Sequence, residues 1–164
     1  MVGGRVPGVT ARGFTLIELV ITVAIVALLA SVALPVSELT VQRTKEQELR
    51  RTLRQIREAI DVYKQASDEG RIKKSIGDSG YPKKLEELAE GVDDLKSPKK
   101  EKIYFLRRIP RDPLNADPTL SPAASWGKRS YASPPDDPRE GDDVFDVFSL
   151  APGKGINGQP YRDW

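Results

Sequence analysis

One carboxylate sits where carboxylates are rare. Glu18 is the only ionisable residue between Phe14 and Leu34, in the run FTLIELVITVAIVALLASVAL. Inside a bilayer such a group costs about 2.5–3.5 kcal/mol on insertion scales. Two arrangements relieve that cost. The side chain snorkels to the headgroups from its place near the edge of the run, or it meets a cation supplied by a partner in an assembly. The residues alone leave both open. A second candidate is the acidic set Asp142, Asp143 and Asp146, whose oxygens are of the kind a hard cation such as calcium takes. Strand alternation turns Asp143 away from the other two, so a solvated strand edge is expected there and no metal site. Other chemistry is missing. The chain has no His and no Cys, which removes imidazole bases, thiol nucleophiles, disulfides and His or Cys metal sites. There is no Gly-x-Ser-x-Gly and no phosphate loop, and Gly153-Lys154-Gly155 reads as a tight turn. No catalytic residue and no cofactor is expected.

The element that carries Glu18 is the apolar run itself. As a helix it is roughly 31 Å long, about one hydrocarbon thickness. Residues 35–164 hold no comparable stretch, so one crossing is the most the chain supports. The preceding Met1–Gly13 contains Arg5 and Arg12 and no acid, and positive charge before a span favours a cytoplasmic N-terminus. The same order suits a secretory signal peptide, with Ala30-Ser31-Val32-Ala33 as the nearest small-residue site. The run exceeds the usual length of about 7–15 residues for such a segment, however.

Gly13-Phe14-Thr15-Leu16-Ile17-Glu18 resembles the processing site of type IV pilins and type II secretion pseudopilins. The resemblance implies a leader ending at Gly13, cleavage between Gly13 and Phe14 by a prepilin peptidase, and methylation of Phe14. Glu18 then becomes the fifth residue, and Pro35 matches the Pro found about one span after the cut. After cleavage the Phe14 amine is a new cation. Glu18 of one subunit and Phe14 of the next could neutralise each other and so set the stacking register. Further matches are Tyr81-Pro82, Pro110-Arg111-Asp112-Pro113, Trp126-Gly127, Asp146-Val147-Phe148-Ser149 and Trp164. These resemble the major pseudopilin of type II secretion. Many such proteins bind calcium in the loop after the last strand. Here Leu150–Asp163 holds one carboxylate, Asp163, against Lys154 and Arg162, so no calcium site of that type is expected.

The remaining elements follow from spacing. Leu49, Leu53, Ile56, Ile60 and Tyr63 form one helix face, with Glu46–Arg50 as an i,i+4 ion pair on the charged side. Pro35 either kinks this helix or ends it. Asp68-Glu69-Gly70 reads as its end, with Gly70 in a left-handed cap, so a helix from Phe14 to about Ser67 would be roughly 80 Å long. A second, short helix is predicted over Lys83–Glu90, stopped by Gly91. Residues 92–102 read as loop, and 112–122 as irregular turns. Trp126–Ala132 and Val144–Leu150 read as strands. Lys+Arg number 26 against 24 Asp+Glu, a net charge of +2, which provides no electrostatic basis for nucleic-acid binding.

The sequence therefore predicts an α+β chain of the pilin fold: a long N-terminal helix, its first half transmembrane, packed on a small two- to three-stranded antiparallel sheet. The expected parts are a cleaved leader (1–13), a transmembrane or filament-core helix (14–34), its amphipathic continuation (35–69) and a periplasmic head (70–164). The head has too few large apolar residues to stand without the helix. The resemblance implies a non-enzymatic subunit of a periplasmic pseudopilus, a homo-polymer joined by minor pseudopilins. Its further partners would be the prepilin peptidase, an inner-membrane assembly platform and the membrane. A type IV pilus subunit for adhesion, motility or DNA uptake is the alternative, and a membrane-anchored periplasmic enzyme or binding module the alternative from another class.

Overall fold

The computed structural model describes residues 13–164, with the side chains of 32–37 excepted. The first helix, α1, spans Leu16–Asp68. It continues past residue 35, so Pro35 does not end it. Two compact units divide the chain, one ending at Val41 and the other running Gln42–Trp164.

From Leu16 to Ser31, α1 is apolar on every side apart from Glu18. Leu16, Ile17, Leu19, Val20, Ile21, Val23, Ile25, Val26, Leu28 and Leu29 are all exposed. A helix that is apolar all round is built for burial by something other than water. Among the described residues no helix is long and apolar enough to cross a membrane. The described apolar stretch runs only from Leu16 to Ser31, and the side chains that continue the run are among 32–37.

In the second unit the predicted helix face is the core. Leu49, Leu53, Ile56, Ile60 and Tyr63 are buried, together with Ala59 and Ala66. They pack with Leu85, Leu88, Leu106, Trp126, Val144, Val147 and Tyr161 in one cluster. Head and helix thus supply one core between them, as expected for a head poor in large apolar residues. The helix ends in a Schellman motif. Arg71 N donates to Ala66 O at 2.9 Å and Gly70 N to Ser67 O at 3.0 Å. Gly70 lies at φ 71°, a conformation that glycine adopts without a Cβ clash.

The second helix, α2, is only Glu87–Glu90, shorter than the sequence predicts. The Pro82 carbonyl that would open a helix at Lys83 accepts instead from Val144 N at 2.8 Å. The chain then advances by tighter turns, with Glu87 N on Lys84 O and Leu88 N on Leu85 O. Residues 92–102, read as loop, contribute to a small ladder. Strands β1 (Val92–Asp93) and β2 (Lys102–Ile103) pair antiparallel. Arg71 holds the Asp94 carboxylate beside them at 2.5 Å. That contact, first as a hydrogen bond and then as a charge, keeps the Asp94 carboxyl below its usual range.

The predicted C-terminal strands are present and short. β3 (Trp126–Arg129) pairs antiparallel with β4 (Asp146–Ser149), Trp126 opposite Ser149 and Arg129 opposite Asp146. The ladder stops at Ser130 because its N–H turns to Arg139 O at 2.9 Å. Gly127 is required by the pairing: a Cβ there would meet the Phe148 ring at 2.3 Å. The sheet is therefore two separate two-stranded ladders. The irregular 112–122 segment is fastened by Asp112, which is 1% exposed. Its carboxylate accepts from Ser149 Oγ at 2.6 Å and Leu114 N at 2.8 Å.

Candidate functional site

At the start of α1, Gly13 and Phe14 precede the helix, and Phe14 is 82% exposed. A Cβ on Gly13 would meet no atom within 4 Å. Among the described residues nothing therefore requires glycine at that position. Thr15 caps the helix: its Oγ1 accepts from Glu18 N at 3.3 Å. Thr15-x-x-Glu18 has the spacing of a capping box, a signal that the sequence analysis did not use. The bond runs to the Glu18 main chain, and the Glu18 side chain is left exposed.

The other polar side chains of this stretch satisfy themselves. Thr22 Oγ1 donates to Leu19 O at 2.9 Å and Ser31 Oγ to Leu28 O at 2.7 Å. Such back-bonding lets a hydroxyl enter an apolar medium without an outside partner. From Leu16 to Ser31, Glu18 is the only side chain that carries a charge. If this stretch is buried in lipid or among other helices, Glu18 is the group that needs a cation.

The acidic set does not converge. Asp142 is exposed. Asp143 accepts from the Ser79 hydroxyl and from Tyr131 N at 2.8 Å. Asp146 lies between two arginines, at 2.7 Å from Arg57 and 3.3 Å from Arg129. Its charge is already matched, so it is a poor cation ligand. Among the described residues no group of three acids gathers as a metal site.

The C-terminal loop is tied to α1 by contacts that the sequence analysis missed. Glu46, 7% exposed, accepts through Oε1 from Ile156 N at 2.9 Å, Tyr161 Oη at 3.0 Å and Gln42 Nε2 at 3.0 Å. Arg57 donates to Asp146, to Val147 O at 3.0 Å and to Trp164 O at 2.7 Å. The Arg50 guanidinium lies 4.2 Å from the Trp164 ring centroid, a cation–π distance. Trp164 also meets the Tyr161 ring edge-on at 5.2 Å. Gly155 lies against Trp164, where a Cβ would fall 2.3 Å from the indole. Burial raises the Tyr161 phenol above its ordinary pKa, and the neighbouring Glu46 carboxylate adds to the rise.

The expected Glu46–Arg50 ion pair does not form, because both residues turn to the loop instead. One signal was available: Glu46 precedes Leu49 by three residues, which puts a carboxylate on the core face of the helix. Asp163, the one acid of the loop, sits 3.7 Å from Arg162. The loop is thus held by a buried carboxylate, two arginines and an indole.

Comparison with known proteins agrees with both ends of this description. Residues 10–34 match the family model described as a prokaryotic N-terminal methylation motif. The type II secretion system core protein G of Dickeya chrysanthemi is 25% identical over 152 residues, covering 90% of this chain and 92% of the relative. No solved structure matches the chain. With a methylation motif on its first helix and a likeness that extends through the head, the chain resembles the type IV pilin-like pseudopilins.

Proposed function

We propose that the chain is a structural subunit of the periplasmic pseudopilus of a type II secretion system and carries out no catalysis of its own. Residues 1–13 are its leader. The prepilin peptidase cuts between Gly13 and Phe14 and methylates Phe14. Residues 14–34 hold the precursor in the inner membrane with the head in the periplasm, and become the filament core. The subunits then polymerise with one another and with minor pseudopilins on an inner-membrane assembly platform. Growth of the polymer promotes protein export.

The observation that carries this reading is Glu18, the only charged side chain in a helix start that is otherwise apolar on all sides. In a packed helix core its carboxylate requires a cation, and the Phe14 amine freed by cleavage is the cation the chain itself provides. Pairing Glu18 with the Phe14 of a neighbour sets the axial register, while Pro35 accompanies the passage from core to head. The likeness over 92% of a secretion core protein favours this machine over a type IV pilus.

Filaments sheared from cells that make the chain with its peptidase and assembly platform test the reading. Filaments built of this chain are the expected result. Its absence from every filament, with the chain correctly inserted, would contradict it.

A further inference from the structure

The head carries a groove and, on another flank, a protrusion that matches it. The groove, of about 700 Å³, runs between α1 and the 103–108 segment. Its floor is apolar, made of Ala59, Val62, Ala66 and Phe105. Val62 is 53% exposed there, although it lies in the middle of a helix whose other large apolar residues in this unit are core. The helix wall carries the carboxylates of Glu58 and Glu69, and the opposite wall carries Arg107 and Arg108. Glu58, Arg107 and Arg108 make no ion pair among the described residues.

The protrusion is the loop after the helix cap, Lys73-Lys74-Ser75-Ile76-Gly77-Asp78. Ile76 is fully exposed. Two lysines precede it, and neither forms an ion pair among the described residues. An isolated exposed apolar residue is ordinary. An isoleucine at a loop tip beside two lysines is complementary to the helix side of an unfilled apolar groove, where Val62 lies between Glu58 and Glu69.

The loop does not fill the groove of its own chain. It folds back beside Lys64 and Ser67, where a Cβ on Gly80 would lie 3.1 Å from Ser67 Oγ. Those residues leave α1 on a different flank from the Glu58, Val62, Gln65 and Glu69 stripe.

We propose that Ile76 of one subunit seats in the Val62–Phe105 groove of a second copy of this chain, with Lys73 and Lys74 facing Glu58 and Glu69. The contact is heterologous, one patch against a different patch, and such contacts propagate into open polymers where the rotation between copies does not close a ring. It therefore deepens the pseudopilus reading, on which it rests. It adds a head-to-head joint to the helix core and gives that joint a polarity: each head offers one knob and one groove.

Cross-linking in full-length, assembled chain tests it. The chain has no native cysteine, so Val62→Cys and Ile76→Cys, both at exposed positions, are the sole thiols when introduced together. A short bis-maleimide reagent applied to sheared filaments should convert the double variant into a ladder of covalent multimers. Each single variant should stay monomeric. Glu58→Lys added to the double variant should weaken the ladder roughly threefold to fivefold, the range of an exposed ion pair. Adding Lys74→Glu as well should restore it. Filaments that form normally yet give no ladder overturn the groove contact and leave the pseudopilus reading intact. Failure of the unmodified chain to form filaments at all overturns both.

Discussion

Glu18→Ala is expected to be cut and methylated like the parent chain and to enter filaments at least tenfold less. The two halves of this result come from different atoms. Cleavage is proposed to act on the Gly13–Phe14 bond, which precedes the helix and whose two residues are exposed among the described residues. The helix cap is also spared, because Thr15 Oγ1 accepts from the main-chain N–H of residue 18, which alanine retains. What alanine removes is the carboxylate proposed to offset the Phe14 amine in the core. An unpaired charge left in an apolar interior costs about 3–5 kcal/mol, more than enough for a tenfold loss. Sheared-filament yield against total processed subunit measures it. Equal yield from the variant would mean that the charge is tolerated singly, and that Glu18 snorkels to the headgroups.

The second large effect belongs to the head. Glu46→Ala should lower the melting temperature of the detergent-extracted chain by roughly 8–15 °C, followed by near-ultraviolet signals of Trp126 and Trp164. Three donors converge on Oε1 of Glu46, and one of them is the main-chain N–H of Ile156. Removing the acceptor leaves the buried Tyr161 hydroxyl and the Ile156 N–H without their shared partner and a gap beneath the loop, a loss of about 2–4 kcal/mol. For a unit of this size each kcal/mol corresponds to roughly 3–5 °C. Glu46→Gln keeps an oxygen in place and should lose roughly a third as much. Because the loop is fastened by Glu46, Arg50, Arg57 and Trp164, chelation of calcium should leave the parent melting temperature unchanged. A large drop on chelation would show that a cation shares the task of holding this loop.

What could be read from the sequence depended on how local each feature is. The helix face from Leu49 to Tyr63 is a matter of period, and period is local. The Gly70 cap is equally local, and the two Schellman hydrogen bonds form where the Asp-Glu-Gly signal stands. The start of α2 was misjudged because Val144, more than fifty residues away, takes the carbonyl that would have opened it. The β1–β2 pair was missed for a related reason. Two residues per strand carry no alternation pattern, and the pairing is held by Arg71 reaching Asp94 across the core edge.

At the candidate sites the same division holds. Gly13, Phe14 and Glu18 fall within one short run of sequence and are visible as a motif. Glu46, Arg50 and Arg57 act on a loop at the far end of the sequence. Only the position of Glu46 on the core stripe hinted at them. In the acidic cluster, nearness in sequence does not become convergence in space. Asp143 turns to Ser79 and Tyr131, and Asp146 to Arg57 and Arg129.

The most direct test of the account is the intact mass of membrane-extracted protein, with sequencing of its first residues, from cells that contain an active prepilin peptidase. The expected product begins at Phe14 and carries one added methyl group. A chain that still begins at Met1, or one cut after Ala33, would contradict it. Glu18 would then be a carboxylate in an ordinary membrane anchor or in a discarded signal peptide.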